Sequence, residues 1–237
     1  MKSSLSRKIT LQILFCGALL MGTLMSCSSE KEKRLQWNLK TTLQEYKKVG
    51  HRNPQWDTPA KEALKLFAEW RAGQMGDEAL AAQIGRDCEK ALAAGCNDPL
   101  IIYLDARFVV SKSNLSEIQI AAAHRRAADG FKQSDYSSLR KFYSYLRAGE
   151  TLYKLKPLPK LDVTEMMNDA ATALAKAIKK NDAPYSEIYQ AARAFMFAFH
   201  QMNIPRDRGW EQLEPLLQKK WGAAYAKELA LSEPQID

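Results

Sequence analysis

Histidine is scarce in this chain: three residues in 237, His51, His124 and His200. No HExxH, no GxSxG and no phosphate-cradling glycine loop occurs, so the sequence lacks the signatures of zinc proteases, α/β-hydrolase nucleophiles and P-loop nucleotide sites. Cysteine and histidine nowhere fall at metal-ligand spacing, and neither cofactor nor metal is expected. No run of β-branched residues alternates as a strand would, which excludes sandwich and barrel folds. No Gly/Ser-rich or Pro-rich linker divides the chain. Lys and Arg (35) are interspersed with Asp and Glu (27) along its length, whereas a nucleic-acid surface needs clustered basic residues. No nucleic-acid partner is expected.

What is present is concentrated first at the amino terminus. Lys2, Arg7 and Lys8 precede an apolar stretch that begins near Ile9 and closes in Leu24-Met25-Ser26-Cys27. A cationic start followed by roughly 7–15 apolar residues is the pattern of a signal peptide. A permanent span needs about 20 mostly apolar residues, and Thr10 and Gln12 interrupt this one, so a retained signal-anchor is the lesser alternative. The four closing residues resemble the lipobox of bacterial lipoproteins, with Leu24, Ser26 and Cys27 at the family's positions and Met25 a less usual choice. The resemblance implies that residues 1–26 are removed and that Cys27 is lipidated as the first residue of the mature chain. More than one acyl chain makes such anchoring stable. Ser28 follows Cys27 in place of Asp, which by the same resemblance implies the outer membrane, facing the periplasm, if the source has two membranes. Loss of three basic residues lowers the formal charge from +8 to +5.

Residues 27–34 form the lipidated cysteine and a short polar tether, spanning at most about 3.5 Å per residue, so the domain over 35–237 rides close to its membrane. Within it, the lipoprotein resemblance implies an oxidising compartment for Cys88 and Cys96. Cys88 lies in a helical pattern and Cys96 just past the Ala93-Ala94-Gly95 stop, a separation at odds with the roughly 7 Å limit for a bridge. Two buried thiols are expected, with Cys96 packing as the apolar residue after a helix-ending glycine; a disulfide is the alternative.

Apolar spacing is helical throughout, which predicts an all-α fold with helices over 35–49, 58–72, 77–94, 98–111, 114–133, 135–155, 162–180, 184–202 and 207–230, the last broken near Pro215 or Gly222. Thr58-Pro59 and Asp98-Pro99 place a cap before a proline, and Asn114 with Glu117 and Asp162 with Glu165 have capping-box spacing. Trp210, Leu213, Leu217 and Trp221 form one stripe suited to capping the domain.

An aromatic followed four residues later by arginine recurs in the second helix of successive pairs: Phe67/Arg71, Tyr103/Arg107, Tyr143/Arg147 and Tyr189/Arg193. The steps are 36, 40 and 46 residues, the range of helix-hairpin solenoids. Positions i and i+4 share a helix face, so each ring is expected to wedge between hairpins, with Tyr103, Tyr143 and Tyr189 buried and each arginine sending its charge outward. Tyr103-Leu-Asp-Ala106 and Tyr189-Gln-Ala-Ala192 resemble the second helix of tetratricopeptide-type repeats. The first helices lack that family's Trp/Leu/Gly/Tyr positions, and the period exceeds its 34 residues. The resemblance implies a TPR-like superhelix of about four pairs over 35–202, a capping helix, and a groove lined by the first helices.

Together these readings describe an envelope lipoprotein that acts as a protein- or peptide-binding adaptor. Its groove contacts are expected to be Arg86, Lys90, His124, Arg125 and Lys176, with a cationic bias suited to an acidic or carboxylate-bearing partner. The carboxylate pairs Asp87/Glu89 and Asp57/Glu62 are expected to be solvated, so the domain is read as a binding module and not an enzyme. The alternatives are a cell-wall hydrolase or lyase using a single carboxylate and a structural subunit of a secretion or polysaccharide-export assembly. The lipobox reading makes a direct prediction. Cys27→Ser should abolish incorporation of labelled fatty acid into the full chain; equal labelling of variant and parent would contradict it.

Overall fold

The computed structural model describes residues 38–46, 53–73, 76–108, 115–181 and 183–229. Among them there are ten helices and no strand: α1 (38–46), α2 (Pro54–Gly73), α3 (Glu78–Ala93), α4 (Pro99–Phe108), α5 (Glu117–Lys132), α6 (Ser138–Tyr153), α7 (Lys160–Lys180), α8 (Tyr185–Met202), α9 (Arg208–Trp221) and α10 (Tyr225–Leu229). The all-α expectation is met. None of the helices in the described residues is long and apolar enough to cross a membrane. The lipobox and the tether lie outside the described residues.

Local chemistry explains most boundaries. Asp98 accepts the Leu100 N–H at 2.8 Å just before Pro99, as its position requires. Gly95 adopts φ +95°, its N–H reaches the Leu92 carbonyl and the Cys96 N–H that of Ala91. These two bonds are a Schellman stop with Cys96 packed behind it. Cys88 and Cys96 are both buried and are not bridged to each other. Asp77, Ser137 and Asp207 cap α3, α6 and α9 through their side chains, while Asn181 and Asn203, both at φ 49°, end α7 and α8.

Four expected starts move, that of α6 from 135 to Ser138 behind its Ser137 cap. Helix α2 begins at Pro54, where Asn53 accepts the Gln55 N–H at 3.0 Å, leaving Pro59 inside the helix. The extra turn is held because Trp56 packs on the core and Asp57 accepts the Tyr46 hydroxyl at 3.1 Å. Helix α5 is capped two residues later than expected, by a reciprocal Ser116–Gln119 box. Helix α7 opens at Lys160 without a side-chain cap; Glu165 instead meets Arg125 and Lys132 on α5 at 3.0 and 2.6 Å. The carboxy-terminal break falls at Gly222 and not at Pro215, and Trp210, Leu213, Leu217 and Trp221 are buried together.

Each helix from α2 to α7 packs on the next; α8 lies against α6 and α7, and α9 against α7. The α7–α9 approach is close: a Cβ at Gly209 would stand 2.5 Å from the Asn168 carbonyl oxygen, and the Gly209 N–H donates to the Asn168 side chain at 2.6 Å. Of the repeat rings, Phe67, Tyr103 and Tyr143 are buried in the core. Tyr189 is only half-buried, stacked on Tyr185 at 6.0 Å and beside Trp221, because the chain here turns toward its carboxy-terminal helices.

The repeat arginines do not all send their charge outward. Arg71 is 2% exposed and points inward: it donates to Glu187 on α8 at 2.6 Å and to Asn38 on α1 at 3.1 Å, with its guanidinium 5.1 Å from the Tyr143 ring centre. The inward turn follows from the buried Glu187 carboxylate, which needs a cation when removed from water. Residues 116 positions apart are thereby joined, and α2 meets α8. Helix α1 is seated by the same kind of contact. Asn38, Thr42, Glu45 and Tyr46 fall on one face and are buried; Arg140 on α6 bonds Thr42 and pairs with Glu45 at 3.2 Å.

Removing one member of a buried ion pair leaves the other uncompensated, at a cost of about 3–5 kcal/mol. Arg71→Met should therefore lower unfolding stability in urea by about that amount, and Arg71→Met with Glu187→Leu should recover most of it. Equal losses in the single and double variants would show that packing, and not charge, fixes this contact.

Candidate functional site

A cleft of about 410 Å³ opens where the carboxy-terminal ends of α2, α4 and α6 meet the first half of α5. Two helix faces form its sides. Glu117, Ile120 and His124 stand at i, i+3 and i+7 on α5, and Arg147, Thr151 and Lys154 at i, i+4 and i+7 along α6 and its cap; Trp70, Arg107 and Phe108 complete the lining. Positions so spaced share one side of a helix.

The apolar wall is a rigid aromatic pair, Trp70 and Phe108, in edge-to-face contact with centroids 5.2 Å apart. Over it lies the Arg107 guanidinium, 4.9 Å from the Trp70 ring and 5.7 Å from Phe108. Arg107 also donates to the hydroxyl of Tyr103, its own partner in the repeat, at 3.3 Å. Arg147 pairs with Glu150 at 2.9 Å. The Thr151 hydroxyl donates to the backbone oxygens of Arg147 and Ala148, so Thr151 shapes the wall without offering its proton to the cleft.

His124 occupies the buried end. It is 2% exposed, lies edge-on to Tyr103 at 6.0 Å, and its Nδ1 is buried with no hydrogen-bond partner. Burial, then the nearby charges of Arg147 and Arg107, push its pKa down to about 3. The imidazole is neutral at physiological pH. The lining thus offers three cations, one exposed carboxylate (Glu117), a neutral ring and an aromatic surface. That set suits an anion attached to an apolar body. A shallower hollow shares Glu117 and Lys154 with it and is edged by Ile118, which is 67% exposed, and by Tyr153.

The five expected groove residues do not converge. Arg86 is exposed and bonds Gln83 within its own helix. Lys90 is exposed and pairs with Asp87 at 3.0 Å. Lys176 is exposed on α7. Arg125 is drawn into a network with Asp129, Asp162 and Glu165, which neutralises it locally. Among the five, His124 alone lines the cleft, and it does so as a buried, neutral ring. Arg107 and Arg147 were visible in the sequence, but as supports for rings; their common register in consecutive second helices was the available signal. Trp70 and Lys154 carried none.

The carboxylate pairs lie elsewhere: Asp57 bonds Tyr46 and Lys61, and Asp87 bonds Gln83 and Lys90. The Cys96 thiol is pushed up to about 11, first by burial, with the Asp98 carboxylate adding to it, and so is not a thiolate nucleophile at neutral pH. No cluster of His, Cys, Asp and Glu able to hold a metal ion occurs among the described residues. Compared with family models, curated proteins and solved structures, the chain gives no match.

The depressed His124 pKa has a determinate sign. The unfolded chain protonates this ring near pH 6.5 and the folded chain only near 3, so stability present above pH 6.5 is lost as pH falls through that window, by about 1.4 kcal/mol per pH unit. His124→Gln should flatten that part of the stability profile, and the His124 ring resonances should not titrate between pH 7 and pH 4. A ring titrating near its ordinary value would overturn the neutral-imidazole assignment.

Proposed function

We propose that this chain is an envelope lipoprotein, anchored through a lipid on Cys27, and that it is an adaptor holding a segment of another envelope protein or peptide. On this reading its helix pairs stack as a degenerate TPR-like repeat, with α9 and α10 capping the end. The lipobox resemblance supports the anchor and, through Ser28, an outer-membrane location facing the periplasm if the source is diderm. The observation that carries the adaptor reading is the α2–α4–α5–α6 cleft, into which two repeat arginines in the same register, Arg107 and Arg147, both enter. The binding surface is therefore this cleft at the ends of the second helices, in place of a groove along the first helices. A binding role is favoured over a single-carboxylate hydrolase because Glu117 is exposed, and a general acid needs an apolar pocket to raise its pKa.

A photo-crosslinking residue at Ile120 of the full chain, expressed in its own envelope, tests the reading. It should yield one dominant protein adduct that disappears with Arg107→Glu/Arg147→Glu and persists with Arg86→Glu/Lys90→Glu, helicity being equal in both. No adduct, or an adduct indifferent to the cleft arginines, would refute it.

A further inference from the structure

We propose that the turn between α6 and α7, with the start of α5 beside it, is a membrane-docking surface that seats exposed apolar side chains and lysines on an anionic phospholipid bilayer. This rests on the reading of Cys27 as a lipid anchor and adds which end of the domain the anchor draws down.

The ends of three helices are gathered here. Arg125 on α5 meets Asp162 and Glu165 on α7, and Lys132 meets Glu165 and Asp169, so α5 and α7 run side by side in the same direction with their starts together. Ile118 and Arg125 stand at i and i+7 on one side of α5, which places Ile118 toward that common end. A hollow holds Ile118 together with Tyr153, Lys154, Leu155 and Lys156 at the end of α6, and the chain continues through Leu158 to Leu161 in the first turn of α7. Among the described residues five large apolar side chains are exposed, and four of them are Ile118, Tyr153, Leu158 and Leu161, the last at 87%. The fifth, Tyr185, is stacked on Tyr189 and covered by Lys220. A single exposed leucine is ordinary, whereas apolar side chains gathered at one end of a domain are a surface for interaction.

Charge and the tether select the occupant. Lys154, Lys156 and Lys160 are interleaved with these apolar residues, are exposed, and enter no ion pair among the described residues. The carboxylates nearby do not cancel them: Asp162 is held by Arg125 and Glu150 by Arg147, which leaves Glu117 against three ammonium groups. Aliphatic side chains flanked by lysine suit a bilayer interface, because the apolar ends enter the headgroup boundary while the lysine stems carry their charge to lipid phosphates. Asn38, where the described chain begins, accepts a hydrogen bond from Arg71 near the carboxy-terminal end of α2. The neighbouring Trp70 lines the cleft, and the cleft shares Glu117 and Lys154 with the docking surface. The eleven steps from Cys27 to Asn38 reach at most about 40 Å, and so short a chain favours contact through the near end. A second group of exposed lysines, Lys176, Lys179 and Lys180, has no exposed aliphatic residue beside it. It lies at the far end of α7, about 28 Å from Leu161 at roughly 1.5 Å per residue.

The test uses the full chain reconstituted in vesicles of phosphatidylglycerol with phosphatidylcholine, or of phosphatidylcholine alone. It carries a photo-crosslinking residue in place of Leu161 or, as the control, of Lys180, and mass spectrometry reads the adducts. In the anionic vesicles position 161 should give phospholipid adducts at least about fivefold more often than position 180, a factor that corresponds to one lysine at such a surface. Lys154→Gln/Lys156→Gln/Lys160→Gln should bring the yield at 161 down to that of the control without altering helicity, and so should neutral vesicles. Equal yields at the two positions would overturn the proposal, as would a yield at 161 indifferent to the lysines and to lipid charge. Adducts at 161 that in the native envelope are made to a protein and not to lipid would also overturn it. Labelling of Cys27 with fatty acid separates the two readings. A labelled chain that gives no lipid adduct at 161 removes the docking surface and leaves the anchor standing, whereas lysine-dependent adducts from an unlabelled chain uphold the docking surface and remove the anchor.

Discussion

The buried contact between Arg71 and Glu187 governs the shape of this domain. Helical hairpins in a linear stack touch only their neighbours, and in such a stack α2 and α8 would be kept apart by the helices between them. Here they meet through a charge pair at 2.6 Å with Asn38 of α1 as a third partner. The inner side of the domain is consequently occupied by its own residues. Arg71, Tyr143 and the polar face of α1 pack together between α2, α6 and α8, and the cleft opens where α2, α4 and α6 end against α5. Buried ion pairs are weak sources of net stability, since desolvation offsets much of the attraction. Their effect is on uniqueness: a guanidinium committed to one carboxylate tolerates few alternative arrangements of the helices that carry it.

Much of the fold was legible because helix boundaries are set by local chemistry. Asp98-Pro99 and Gly95-Cys96 act within a few residues, and both behave as their sequence requires. The start of α2 was not legible, since Asn53-Pro54 and Thr58-Pro59 carry the same local signal. The choice between them is made by Trp56 reaching the core and by Asp57 accepting the Tyr46 hydroxyl, and neither contact is written in the neighbouring residues. The inward turn of Arg71 was invisible for the same reason, its partner being 116 residues away.

The site divides in the same way. Arg107 and Arg147 stand out as members of a repeat, but their convergence depends on how α4 and α6 are rotated about their axes, which periodicity alone does not fix. His124 lies in Ala-Ala-Ala-His-Arg-Arg, where the adjacent arginines suggest a solvated face. Yet Ala121, His124 and Ala128 stand at i, i+3 and i+7 and are buried together. The small residues at helical spacing marked an inward face, and the histidine shares it. Arg125 and Lys132, in contrast, do what exposed cations on adjacent helices do: they tie α5 to α7 through Asp162, Glu165 and Asp169.

Helix α1 carries a mechanical implication. Any pull exerted through the chain before residue 38 enters the domain by way of this helix, which is seated by Asn38 on Arg71, by Thr42 and Glu45 on Arg140, and by Tyr46 on Asp57. Apolar packing yields gradually as surfaces slide, whereas hydrogen bonds and ion pairs depend steeply on distance and angle. Tension is thus met by directional bonds that hold stiffly and then give way together. Because Arg71 also binds Glu187, release of α1 would loosen the contact that joins α2 to α8, and a load applied at the amino-terminal end would be felt at a helix more than a hundred residues away in the sequence.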